Sequence, residues 1–309
     1  MTGTMPHTLT EHTFIPTTTR PLQIAACEVL GLDPAGATVL RHHSNAVYLL
    51  AQTPVVVKIS RPANTHTRST VDLVHWLELH GVPSITLATA ANQPPGQPID
   101  QPIEIAGCDV TAWTYLPQTR AISASEIAEP LAALHRTPPP PGTRPLDPFT
   151  SINRSIAQSA CLSTDEKTLL RKRSDQFAQA WARLEHEAHT ALLHGDPQHR
   201  NTLWDESANR AVLCDWESAV TGPLEWDLVT IEIHCRRFGP PQAEYDAFCE
   251  RSGRDVREWS GYEITRDIRE LRMIASNARK SAPGTAPAEE VRRRITHLDS
   301  GTNLRWHIL

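Results

Sequence analysis

Residues Leu192–Asp227 read LLHGDPQHRNTLWDESANRAVLCDWESAVTGPLEWD, and the fold and chemistry of the chain are decided in this stretch. Short apolar runs at Ala191–Leu193, Thr202–Trp204 and Ala211–Cys214 alternate with the polar residues His194, Asp196, His199, Asn201, Asp215 and Glu217. Two of these runs flank the turn-rich segment Asp205–Arg210, which is the pattern of a β-hairpin. With the turn centred on Ala208, Asn201 lies opposite Asp215, and facing residues hold their Cβ atoms about 4.5–5.5 Å apart. One amide oxygen and one carboxylate at the same end of a hairpin suit a hard, oxygen-seeking cation such as Mg²⁺. Asp196 precedes them in a Pro-containing loop, so the order is a base followed by two metal ligands, as phosphoryl transfer requires. His194 and His199, five apart on a loop, make a poor zinc pair.

These residues also carry a family resemblance. His194-Gly195-Asp196 with Asn201 resembles the H-G-D-x-x-x-x-N catalytic loop of the aminoglycoside phosphotransferase family. Cys214-Asp215-Trp216-Glu217 resembles that family's metal-binding I-D-W-E segment, and Gly222-Pro223 with Asp227-Leu228 the G-P-x-x-x-D-L stretch behind it. The resemblance implies an α+β, bilobal protein-kinase-like fold: a β-rich first lobe with an antiparallel sheet, a larger α-helical second lobe, and a cleft between them. It implies ATP (or GTP) with Mg²⁺ as cofactors, Asp196 as catalytic base, and Asn201 and Asp215 as metal ligands. His194 then holds the loop, Asp227 braces it from the start of its helix, and Glu217 either joins the metal's outer shell or is a solvated acid.

The rest of the chain fits a soluble enzyme. It has 309 residues, 39% hydrophobic and 21% charged, with a net charge of −5. No Lys- or Arg-rich stripe appears, so nucleic acid and anionic membrane are not expected partners, and a monomer is the default. Six scattered cysteines without a C-x-x-C pair suggest reduced thiols and a cytoplasmic location. No apolar run approaches the ~18 residues of a membrane span, and the N-terminus lacks the apolar core of a secretory signal.

The expected organisation is a flexible arm over 1–20, a nucleotide-binding lobe over 21–116 and a catalytic lobe over 117–309. Helical spacing of Leu22, Ala25, Ala26, Val29 and Leu30 starts near Pro21 and stops at Gly31. Three strands follow: Ala37–Arg41, Asn45–Leu50 and Val55–Ser60. In the last, Val55, Val57 and Ile59 share one face, and Lys58 shares the other with Val56. A lysine in an apolar strand is costly unless its ammonium meets an anion. The resemblance makes that anion the α/β-phosphates of ATP; the competing reading is an edge lysine that discourages aggregation. The turn between the first two strands holds Arg41-His42-His43-Ser44 in place of a glycine-rich loop, leaving phosphate cradling to backbone N–H groups and polar side chains such as Ser44. A helix over Thr70–His80 is expected with Ser69 as N-cap and Asp72 in a capping box. The resembled family carries a glutamate early in this helix as partner to the strand lysine. Thr70 stands at the matching position here, and Asp72 is either a substitute in a shifted register or a plain cap.

Val110–Pro117 reads as a last strand ended by proline, similar to the hinge between the lobes. The resemblance places backbone groups near Thr114 and Leu116 at the adenine edge and Trp113 along the pocket; an ordinary core strand ending in a turn fits the same pattern. After it, Ser123 with Glu126 forms a capping box, and Pro130 predicts a kink or a late start. Ser163 with Glu166 begins a helix whose Leu169, Leu170, Phe177, Trp181 and Leu184 face a core. Further helices are expected over Leu224–Arg237, Gln242–Ser252, Arg257–Lys280 and Ala288–Leu298.

The resemblance implies a small-molecule acceptor. Five acids (Asp215, Glu217, Glu225, Asp227 and Glu232) and no Lys or Arg lie between Asp215 and Cys235, which suits a cationic acceptor such as an aminoglycoside or amino alcohol. The same acids also suit a metal and helix N-termini. A catalytically weak nucleotide-binding regulator of the same fold is the alternative, supported by the missing helix glutamate. A two-metal phosphohydrolase lacks its further His/Asp/Asn motifs.

Overall fold

A computed structural model of the chain describes residues 14–43, 45–62, 64–89, 100–184, 190–239, 243–298 and 304–309. These divide into two compact units. One comprises the described residues up to Ala121 together with Leu203–Glu217; the other comprises Ile122–Thr202 and Ser218–Leu309. The architecture is α+β and protein-kinase-like.

The first unit is built on a five-stranded antiparallel sheet in the order β1-β2-β3-β5-β4. Its strands are β1 (Thr38–His42), β2 (Asn45–Leu49), β3 (Val55–Ser60), β4 (Ile103–Ile105) and β5 (Cys108–Thr114). Alternation sorts the two faces of β3. Val55, Val57 and Ile59 are buried against Leu22, Ala26, Cys27 and Leu30 of α1 (Pro16–Leu30), forming the core of this unit. Lys58 therefore lies on the opposite face, between Val47 of β2 and Thr111 of β5.

Helix α1 begins five residues before Pro21, so Pro16–Arg20 belong to the fold rather than to an arm. The reason is local. Ile15 N–H donates to the Thr18 hydroxyl, Pro16 sits where its missing donor costs nothing, and the buried Thr19 hydroxyl meets Tyr48 Oη at 2.7 Å. Val29 is exposed rather than core-facing. Helix α2 (Thr67–Leu79) likewise starts three residues early, capped at His66. Ser69 does not cap it, since its hydroxyl donates to the His66 carbonyl from inside the first turn; Asp72 is exposed.

The hairpin β7 (Thr202–Asp205) and β8 (Arg210–Leu213), expected in the second lobe, packs with the first unit. The segment after α2 fastens it there. Leu213 N–H donates to Pro83 C=O at 3.0 Å, Ile85 N–H returns to Leu213 C=O at 2.9 Å, and Ala88 N–H reaches Ala112 C=O on β5. The backbone of 83–88 thus ties the hairpin to the sheet.

The second unit holds α3 (Ala124–Arg136), α4 (Pro148–Gln158), α5 (Thr164–Trp181), α6 (Glu225–Arg237), α7 (Ala243–Ser252), α8 (Tyr262–Lys280) and α9 (Ala286–Thr296). A two-stranded antiparallel sheet joins β6 (Thr190–Leu193) to β9 (Val220–Pro223), pairing Leu193 with Val220. Its core gathers Ile152, Leu170, Leu193, Trp226, Ile268, Leu271 and Ile274. Helix α3 runs unbroken through Pro130 from its Ser123–Glu126 box. Helix α8 starts at Tyr262 rather than Arg257, because Asp255 caps a separate 3-10 turn over Val256–Glu258. On α5, Leu169 faces solvent and Leu170 takes the core position. Gln242, the expected first residue of α7, lies outside the described residues. None of the six cysteines forms a disulfide, and among the described residues no helix is long and apolar enough to cross a membrane.

Candidate active site

In the first unit the charged face of β3 meets the residues that follow β8. Asp215 adopts a left-handed backbone (φ 66°), a conformation Asp tolerates better than most side chains, and a 3-10 turn over Trp216–Ser218 follows. The buried Trp216 indole anchors this turn by donating to Ser84 Oγ at 2.9 Å. The turn thereby brings Glu217 to Lys58: Nζ donates to Oε1 at 2.7 Å, and the buried Asn45 amide donates to the same oxygen at 3.2 Å. Asp215 Oδ1 stands 3.6 Å from Nζ. Lys58, Ser60, Thr67, Thr70, Thr111 and Glu217 line one small cavity, with Trp113 at its wall. Of the hinge candidates, Trp113 is buried and its indole donates to Thr111 Oγ1. The Thr114 N–H is already spent on Thr86 C=O, and Tyr115 N–H on Pro54 C=O. Among the described residues no hydrogen bond engages the Leu116 N–H. Ser44, the candidate of the strand turn, lies outside the described residues.

In the second unit the loop after β6 is fixed by its backbone. Gly195 has φ 82°, and a Cβ there would sit 2.2 Å from the Ser218 carbonyl oxygen, so no other residue fits without displacing that chain. The fully buried Asp227, in the first turn of α6, accepts from His194 N–H and Gly195 N–H, both at 2.9 Å, and from His135 Nε2 at 3.0 Å. His194 is fully buried and its Nδ1 accepts from Asp196 N–H. These bonds turn the Asp196 carboxylate outward, where each oxygen has partners. Oδ1 accepts from Arg269 Nη2 at 3.1 Å, and Oδ2 from Gln198 Nε2 at 2.8 Å and Asn201 Nδ2 at 3.3 Å. Arg269 also donates to Gly195 C=O and lies over the Trp226 ring. Burial opposes ionisation of Asp196, but Arg269, His234, Arg272 and His194 outweigh it and hold the carboxyl below its usual range.

Asn201 closes a 3-10 turn, and Asp215 lies two residues beyond β8, so both stand outside the hairpin's strands; they fall in different units. Among the described residues no three His, Cys, Asp or Glu side chains are grouped to hold a metal. A Mg²⁺ carried by a triphosphate needs only one or two protein ligands, with phosphates and water completing its shell. Asp215 offers a part-exposed carboxylate. Within its own unit, Asn201 donates from its amide nitrogen to the Asp196 carbonyl at 2.9 Å. Asp215 and Asn201 are each, within their own unit, oxygen donors of the type that suits a nucleotide-borne cation.

The acids between Asp215 and Cys235 are mostly committed. Glu217 serves Lys58, Asp227 serves the loop, and Glu232 takes a two-pronged contact from Arg236. Sequence reasoning missed Arg269, Arg272 and His234. The available signal was two arginines, at i and i+3, on a helix whose Thr265, Ile268, Leu271 and Ile274 are buried.

Comparison with known proteins gives the family and the fold. The model of the phosphotransferase enzyme family matches residues 37–263, well over half the chain. Among solved structures, amicoumacin kinase hAmiN, in complex with AMP-PNP, Ca²⁺ and Ami, superposes with a TM-score of 0.72 at 13% identity, covering 94% of this chain and 97% of that one. A microcompartment-associated aminopropanol kinase gives 0.68 at 15% identity, with coverage of 91% and 95%. Spectinomycin phosphotransferase APH(9)-Ia, in complex with ADP and spectinomycin, gives 0.63 at 14% identity, with coverage of 93% and 95%. No curated protein matches the sequence. The chain belongs to the phosphotransferase enzyme family.

Proposed function

We propose that this phosphotransferase moves the γ-phosphoryl group of ATP, bound with Mg²⁺, to a hydroxyl of a small molecule. The observation that carries the reading is the Asp196 carboxylate, kept ionised and aimed by Arg269, Gln198 and Asn201 on a loop locked by Asp227. The acceptor hydroxyl donates to Asp196, and its oxygen forms the bond to the γ-phosphorus as the bond to the β–γ bridging oxygen breaks. ADP leaves with that electron pair, and the hydroxyl proton ends on Asp196. A carboxylate with a lowered pKa is a weak base, so its first task is orientation, with the proton taken late. Lys58 meets the α- and β-phosphates. By the motif resemblance Asp215 and Asn201 would hold the cation, which when bound would offset charge on the transferring group. Leu116 N–H and Trp113 serve the adenine. The silent-regulator alternative loses its support, since Lys58 has a carboxylate partner at 2.7 Å despite the missing helix glutamate.

The acceptor is screened as phosphate transfer from ATP or GTP to amino alcohols, aminoglycosides, macrolides and sugars. On an acceptor so found, Asp196→Asn is expected to lower turnover by about 10²–10⁴-fold while ATP·Mg binding, read by thermal shift, stays near wild type. Equal loss of binding and turnover overturns the role of Asp196.

A further inference from the structure

The position on α2 that should carry an acid for the strand lysine holds Thr70, whose hydroxyl turns back to the His66 carbonyl. Asp72 is exposed, so no acid of α2 substitutes. The carboxylate that meets Lys58 comes instead from Glu217, 159 residues along the chain. The contact is built rather than incidental. Trp216 is buried and pinned to Ser84, Leu213 is stitched to Pro83 and Ile85, and Asn45, itself 3% exposed, directs its amide onto the oxygen that Lys58 uses. Thr70 and Glu217 line the same cavity as the ammonium, so the acid has moved from one wall to another.

We propose that Glu217 is the positioning residue for Lys58, replacing the acid missing from α2. It fixes the direction of the ammonium toward the phosphates and leaves the metal to Asp215 and Asn201. Because Lys58, Asn45 and Glu217 are held by the sheet and the hairpin, alignment of the lysine does not depend on where α2 sits. The inference rests on the phosphotransfer reading of Lys58.

Three variants of the full chain test it, each read by kcat, by the Mg²⁺ concentration giving half activity, and by calorimetric ATP binding without metal. Lys58→Ala should lose both metal-free binding and turnover; wild-type behaviour there would sink the phosphotransfer reading itself. Glu217→Gln should keep metal-free ATP affinity and the Mg²⁺ half-point within about threefold while kcat falls about ten- to a hundredfold. Glu217→Gln with Thr70→Glu, which returns an acid to the other wall of the cavity, should recover much of that loss. The proposal is overturned, with the function left standing, by a Glu217→Gln enzyme of wild-type kcat. A raised Mg²⁺ half-point with full kcat at saturation also overturns it and makes Glu217 a metal ligand. So does a double variant no more active than the single one.

Discussion

The two charged groups on which the proposed chemistry turns are held in opposite ways. In the second unit, Asp196 leans on Arg269, a guanidinium whose side chain is 3% exposed and which is locked against Trp226 and the Gly195 carbonyl. In the first unit, Lys58 leans on Glu217, whose side chain is 37% exposed. A buried partner has nowhere else to go, so its loss strands a charge and disturbs the fold. A part-solvated partner is replaced by water, so its loss costs little stability and a great deal of aim. The same device, a carboxylate paired with a cation, is architecture in one place and alignment in the other.

The contrast is broken most directly at Arg269. Arg269→Met should lower unfolding free energy, measured in urea, toward the lower end of the ~3–5 kcal/mol of a broken buried pair, because Asp196 keeps access to water. A variant that melts like the wild type would erase the distinction. Next is Asp227→Asn, which sets an amide NH₂ against one of two buried backbone donors; a loss of about 1–3 kcal/mol is expected in the same titration. Third is the acid limb of the stability curve. Burial, with Arg269 adding to it against the pull of Asp196, pushes His234 down to about 4. The unfolded chain binds that proton near 6.5, so stability present above pH 6.5 declines as pH falls toward 4 and then levels off with respect to this group. Melting temperatures between pH 7 and 4 should show the decline, and His234→Gln should flatten it. Smallest is Glu217→Gln, whose stability should stay within about 1 kcal/mol of wild type even as turnover drops.

What the sequence disclosed and what it hid follow the same division. The loop of His194-Gly195-Asp196 is legible because its fold needs fixed residue types at short spacing. Lys58 is legible because strand alternation isolates it on one face. The groups that aim these residues are not local. Arg269 reaches Asp196 across 73 positions and Glu217 reaches Lys58 across 159, and no periodicity announces either. Helix α4 was also overlooked, although Asp147 accepting from Phe149 N–H and Thr150 N–H, with Pro148 behind it, is a helix start written in sequence. The early start of α1 is not legible because Pro21 reads as a boundary, whereas the buried Thr19–Tyr48 bond that holds the preceding turn is tertiary.

The contact of Gly195 with the Ser218 carbonyl has a practical reach beyond this site. A laboratory library meant to widen the acceptor range gains nothing by randomising position 195, since every alternative residue there spends its effect on prying two backbones apart. Diversity is better placed away from Gly195 and Arg269, so that the loop stays still.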